Sequence, residues 1–251
     1  MNTGNVLLGA GLAFLAAGLY GFVGLRMGRR VFENPEERLA WNAFRTWWLA
    51  LAAVTALGAL PSVAAVLGVR ELWLFLSFTI FNLFGTCLAL WGLLYYLVFL
   101  FTGNRRTLWP LAGFYLLFFF GLLAYIFYSG PAGLEERAFS VAIRYERPIS
   151  GIYLILVLLF LVLPQIIASL AYFRLFFRVR EPDLRYRIAV VSWAIIMWFG
   201  LGLLAPLVGL SRLEWWPLAS RGIGLLAALA IYFAYFPPIA VQRRLDATIT
   251  N

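Results

Sequence analysis

Uncharged polar side chains are the groups in this sequence whose type and spacing could bind a ligand within a hydrophobic environment. Thr79, Asn82 and Thr86 follow one another at intervals of three and four residues, so in a helix they share one face. Gln165 and Ser169 lie one helical turn apart. Because amides and hydroxyls donate and accept hydrogen bonds without carrying charge, this pattern predicts the binding of a mostly apolar molecule through a few polar atoms.

Asn82 and Gln165 are predicted to supply the polar contacts of one site, because both fall near the middle of long hydrophobic segments. Aromatic side chains are expected to form its walls. The predicted ligand-binding residues are Asn82, Gln165, Thr79, Thr86, Ser169, Trp91 and Trp193, with Tyr95, Tyr96, Tyr153, Tyr172 and Trp198 as further wall candidates. The alternative interpretation is hydrogen bonding between packed helices, worth about 0.6 kcal/mol for each contact.

The residue types that are absent exclude several chemistries. The sequence has no lysine and no histidine, so all 20 basic residues are arginine, and Cys87 is its one cysteine. A retinal Schiff base needs lysine, and histidine-ligated haem and general-base catalysis by histidine need an imidazole. We therefore expect no cofactor, no metal site and no catalytic residue. An enzyme acting on lipids would have to use the loop carboxylates Glu33, Glu36, Glu37, Glu181 and Asp183, which helix capping explains more simply.

Charged residues avoid the centres of the hydrophobic segments. None of the eleven acidic residues lies near the middle of one, which argues against a proton pump or a carboxylate-coupled symporter. Arg45 and Arg221 lie one to two turns inside segment ends. We expect both to extend toward lipid headgroups, with contact to an anion as the alternative.

The elements that hold these groups are long apolar helices. Hydrophobic residues make up 64% of the 251 residues and charged residues 12%, whereas soluble domains carry about 25% charged residues. Seven segments reach the roughly 20 residues that a helix needs to cross a bilayer. They cover residues 6–25, 39–60, 72–101, 108–128, 149–177, 186–210 and 216–241. The sequence therefore predicts an all-α integral membrane protein with a single domain, a bundle of seven transmembrane helices. The connection 129–148 is expected to form a short helix or strand on the outer surface.

The distribution of arginine predicts the orientation. With the N-terminus outside, fourteen arginines fall on one side of the membrane and six on the other. The positive-inside rule places the richer side in the cytoplasm, together with the C-terminus. We expect a multi-pass protein of a bacterial-type cytoplasmic (inner) membrane. The formal net charge of +9 lies in short loops beside the spans, so its expected partner is the lipid surface and not nucleic acid.

Two loops share the pattern R-V-x-E, an optional residue, then P-[ED]-x-R, at residues 30–38 and 178–185. Convergent helix capping explains this likeness, and duplication in a 3+1+3 arrangement is the alternative. Such a plan, with Pro164–Gln165 in the fifth span, resembles the PQ-loop and sugar-facilitator transporters, although the equivalent place in the first span holds Ala16–Ala17. The number of spans also resembles the sensor regions of bacterial receptor kinases and the rhodopsin-type receptors.

Three functions follow as hypotheses from these features. The favoured one is a non-catalytic, receptor-like or sensor-like bundle that binds a small, largely apolar ligand or lipid and acts through a separate protein partner. The second is a facilitative transporter of a neutral solute built from parallel three-helix repeats. The third is a scaffold subunit of a larger membrane complex.

Overall fold

The structure, a computed structural model, describes residues 3–28, 34–136, 141–147, 155–197 and 215–242. Helices dominate these ranges. In chain order they are α1 (Thr3–Met27), α2 (Pro35–Val66), α3 (Leu72–Thr102), α4 (Leu108–Tyr128), α5 (Ile155–Arg178), α6 (Pro182–Ile195) and α7 (Trp216–Tyr235). A 3₁₀ turn, Arg105–Thr107, precedes α4, and the antiparallel strands β1 (Pro131–Glu136) and β2 (Val141–Tyr145) follow it.

Six of these helices, α1 to α5 and α7, are long and apolar enough to cross a membrane. The prediction of a helical, multi-pass membrane protein is confirmed at this level. The predicted sixth span, residues 186–210, begins within α6, and its residues 198–210 lie outside the described residues. The count of seven spans therefore stays a prediction.

Proline opens both helices that follow the related loops. In α2, Pro35 is the first residue, and the Asn34 side chain accepts a hydrogen bond of 2.9 Å from the Glu36 backbone N–H. In α6, Pro182 is the first residue and Asp183 lies in the first turn. Proline has no N–H to leave unpaired at this position, and acidic residues favour the positive end of the helix dipole. These starts agree with the capping interpretation and do not test duplication.

The α2 helix packs against α1 on one side and α3 on the other. Gly92 of α3 lies directly on the α2 backbone, because a Cβ atom there would lie 2.5 Å from the carbonyl oxygen of Ala43. Trp47 and Trp48 of α2 are fully buried, with ring centroids 4.0 Å apart. They belong to the main core, to which α1, α3, α5, α6 and α7 also contribute.

The β1–β2 hairpin covers one end of the bundle, which we call the hairpin end. Val141 packs with Ala65 of α2 and Phe75 of α3. Between these helices, the Arg70 guanidinium donates to the Ala65 carbonyl at 2.6 Å and pairs with the Glu136 carboxylate at 2.7 Å. The connection 129–148, expected as a helix or a strand, thus contains two strands. At the opposite end of the bundle, α1 connects to α2 and α3 connects to α4.

Candidate functional site

A groove of about 430 Å³ lies between α3 and α4, and we call it the α3/α4 groove. Its volume falls within the usual range for small-molecule sites. Most of its wall is hydrocarbon or aromatic ring. Residues that line it include Cys87 and Trp91 of α3 and Trp109, Gly113, Tyr115 and Phe119 of α4.

The groove lies beside two small residues, Ala112 and Gly113, on one face of α4. Trp109, Ala112, Gly113 and Leu116 recur at spacings of three and four residues, so they lie on the same side of the helix. Nothing lies within 4 Å of the place where a Gly113 side chain would begin. The two small residues therefore leave space between larger apolar neighbours.

Two polar atoms of the groove wall are already bonded to the backbone. The Trp91 indole N–H donates to the Leu108 carbonyl at 3.3 Å, and the Tyr115 hydroxyl donates to the Phe160 carbonyl at 3.5 Å. The Phe160 carbonyl is available because Pro164, four residues later, has no N–H to offer it. Phe160 belongs to a stretch of α5, Leu158–Val162, that forms a π-helix. The free surface of the groove is thus apolar.

Asn82 connects α3 to α2. Its side-chain amide donates a hydrogen bond of 2.7 Å to the Val54 carbonyl, and the same nitrogen lies beside Gly58. The hydroxyls of Thr79 and Thr86 donate to carbonyls one turn earlier in their own helix, at 3.0 Å and 2.9 Å. These three residues share a face, as their spacing requires, and the hydrogen bond that Asn82 makes beyond its own helix goes to α2.

Gln165 and Ser169 are buried together in α5. The Gln165 amide nitrogen donates to the Leu161 carbonyl at 2.7 Å, while its side-chain oxygen is buried and accepts no hydrogen bond from the part of the chain that the structure describes. The Ser169 hydroxyl donates to the Gln165 carbonyl at 2.9 Å. Within the described residues no hydrogen bond joins Asn82 to Gln165. A shared site for the two amides stays a prediction.

Of the seven predicted binding residues, Trp91 is the one that lines the α3/α4 groove. Trp193 lies on α6, with 47% of its surface exposed. Among the further wall candidates, Tyr95 and Tyr172 are buried, whereas Tyr153 and Trp198 lie outside the described residues. The sequence analysis did not identify Trp109, Gly113, Tyr115 or Phe119. The small pair Ala112–Gly113 in an otherwise aromatic α4 is the signal that could have indicated them.

Two arginines inside the bundle ends contact neighbouring helices. Arg45 of α2 donates from Nε to the Gly24 carbonyl of α1 at 3.2 Å. Arg221 of α7 donates from Nη2 to the Ser62 hydroxyl of α2 at 2.9 Å. Both guanidinium groups thus donate to groups of the protein, and their extension toward lipid headgroups stays a prediction.

Known proteins provide no functional assignment. Comparisons with protein families, with curated proteins and with solved structures found no match to this chain. Within the described ranges, no three of the cysteine, aspartate and glutamate side chains come together in a way that could hold a metal ion.

Proposed function

We propose that this chain is a non-catalytic, receptor-like membrane bundle that binds a small, largely apolar molecule or a lipid chain in the α3/α4 groove. The observation that carries the proposal is the groove of about 430 Å³, walled mainly by rings and aliphatic side chains, in which the Trp91 indole and the Tyr115 hydroxyl are bonded to the backbone. Such a surface favours hydrocarbon or ring systems, since close van der Waals packing is the main attraction between apolar groups inside a bilayer. Binding of this kind needs no ionised catalytic group.

The proposal includes the orientation derived from the arginine distribution. Seven spans place the N-terminus outside and the C-terminus in the cytoplasm of a bacterial-type inner membrane. The greater number of arginines on the C-terminal side supports this arrangement. A receptor-like role requires a separate protein partner that responds to the bound state.

Photolabelling with a neutral amphiphile tests the groove. The purified protein in detergent is irradiated with a diazirine derivative of decanol, and the labelled peptides are mapped by mass spectrometry. We expect labelling to concentrate on residues 84–91 and 109–119. Gly113→Phe should reduce this labelling at least about fivefold, because its ring fills the groove.

Gly121→Phe is the matched control, since Gly121 lies in the same helix, also has open space beside it and does not line the groove. It should leave labelling unchanged. Equal labelling of the wild-type protein and Gly113→Phe, or a similar loss in both variants, would contradict binding in the groove.

A further inference from the structure

Arg221 places a positive charge between three helices near the hairpin end. It lies five residues after the start of α7, about 7.5 Å along the helix axis. Its side chain is partly buried, and its Nη2 donates to Ser62, which is 1% exposed and lies near the end of α2. Arginine at this depth in a membrane helix is costly and is a candidate functional group.

Gly9 of α1 makes the space that the guanidinium occupies. A Cβ atom at this position would collide with Nη1 of Arg221, and it would lie 3.3 Å from its Cδ. On the same helices, Ala10, Ala13 and Ala59 form a small buried cluster. The cation therefore lies where α1 and α2 present small apolar residues.

The hydrogen-bonding capacity of this group is largely unused. Nη1 of Arg221 is buried and has no hydrogen-bond partner among the described residues. The Ser62 hydroxyl accepts from Arg221, and the described residues offer no acceptor for its own proton. The ion pairs found within the described ranges use Arg70, Arg105 and Arg187. Within these ranges, the charge of Arg221 therefore has no carboxylate partner.

Two donors, one of them cationic, match an oxygen-bearing anion. A guanidinium binds a carboxylate or phosphate through charge-assisted hydrogen bonds, and a neighbouring hydroxyl can donate to the same oxygen atoms. We infer that Arg221 and Ser62 bind an oxyanion at the junction of α1, α2 and α7. This chemistry can come from the headgroup of an anionic amphiphile in the membrane or from a free anion such as phosphate.

Thermal unfolding of the purified protein tests the inference. The protein is held in a neutral, phosphate-free detergent solution, and near-UV circular dichroism follows unfolding with added sodium decanoate, decanol or inorganic phosphate. Saturating decanoate should raise the unfolding temperature by about 3 °C or more, because a ligand that binds only the folded state stabilises it. A response to decanoate alone assigns the site to amphiphiles, and an equal response to phosphate assigns it to free anions.

Arg221→Gln should abolish the response, and Ser62→Ala should weaken the apparent affinity for decanoate at least about threefold. Arg45→Gln is the matched control, because it removes the arginine that bonds to α1 near the opposite end of the bundle. It should keep the full response. If Arg221→Gln does not fold, the response of Ser62→Ala to decanoate alone decides whether the anion binds at this site. This substitution removes one hydroxyl and no charge.

The absence of any rise with decanoate or phosphate would overturn the inference, as would an unchanged response in Ser62→Ala and Arg221→Gln. A response that Gly113→Phe removes and Arg221→Gln retains would place the anion in the α3/α4 groove instead. The inference is independent of the proposed function, because the neutral decanol probe reports on the groove and the anionic probe reports on Arg221.

Discussion

Individual polar atoms in the core of this bundle differ in whether they find a partner. The Tyr20 hydroxyl of α1 donates to the Gly224 carbonyl of α7 at 3.2 Å, whereas the Tyr172 hydroxyl of α5 is buried and bonds to none of the described residues. A buried donor without an acceptor costs about 1–3 kcal/mol, while a satisfied one contributes about 1 kcal/mol. The same substitution should therefore change stability in opposite directions at these two positions.

Tyr172→Phe should raise the free energy of unfolding by about 1 kcal/mol, because it removes an unsatisfied hydroxyl. Tyr20→Phe, the matched control, should lower it by about 1 kcal/mol, because it removes the bond to Gly224. Denaturant unfolding in detergent micelles, followed by circular dichroism, measures both. A loss of stability in Tyr172→Phe as large as that in Tyr20→Phe would show that Tyr172 has a partner.

The sequence predicts some of these residue-level features and not others. The spacing of Thr79, Asn82 and Thr86 correctly places them on one face, because helical periodicity is a local property. The partner of Asn82 depends on how far α2 slides along α3, and no local pattern encodes that register. For the same reason the bond to Val54 could not be foreseen.

At the scale of elements, small residues decide how closely the helices approach. Gly92 allows the α3 backbone to touch α2 at Ala43 and Trp47, and Ala112 with Gly113 opens the groove on the other side of α3. The hydropathy pattern predicted the helices because long apolar segments are easy to recognise in a sequence. It could not distinguish a glycine that closes an interface from one that leaves a space.

Gly92→Ala should lower the free energy of unfolding by about 1–3 kcal/mol. The added methyl group meets backbone atoms of α2, which cannot rotate away as a side chain can. Gly121→Ala, at a position with nothing within 4 Å, should leave it unchanged or raise it by up to about 1 kcal/mol, because alanine favours a helix more than glycine does. Unfolding of the two purified variants under identical detergent conditions tests the difference, and equal stability would contradict the close contact.

The structural effects of Pro164 are only partly predictable from the sequence. That proline removes a hydrogen-bond donor within a helix follows directly from its chemistry. The hydrogen bond that Tyr115 donates to the freed Phe160 carbonyl depends on the position of the neighbouring α4 helix. Tertiary packing therefore determined how the broken pattern was repaired.

For the whole molecule, the uneven distribution of arginine is the feature with the widest effect. Fourteen of the 20 arginines belong to loops and helix ends on the side that the analysis assigns to the cytoplasm. Because arginine resists transfer across the membrane, this asymmetry should determine how the bundle inserts. Composition and charge thus predicted a membrane protein, while the groove could be identified only from the packing of α3 against α4.

A reporter fused to the C-terminus tests the predicted orientation. In a bacterial host, a C-terminal fluorescent protein that matures only in the cytoplasm should be bright, and a C-terminal alkaline phosphatase should be inactive. We expect this result because the C-terminus follows two adjacent arginines, residues 243 and 244, and arginine favours the cytoplasmic side of the membrane. An active phosphatase with a dark fluorescent fusion would reverse the assigned orientation.

Cys87 is the one thiol of the chain, and it lies in the wall of the α3/α4 groove. Because its side chain is 3% exposed, a small uncharged thiol reagent should modify it slowly, and this modification should become slower still when a molecule fills the groove. The rate of modification of the unmutated protein would then distinguish vacant from filled states, and titration of extracted lipid fractions could identify a natural occupant.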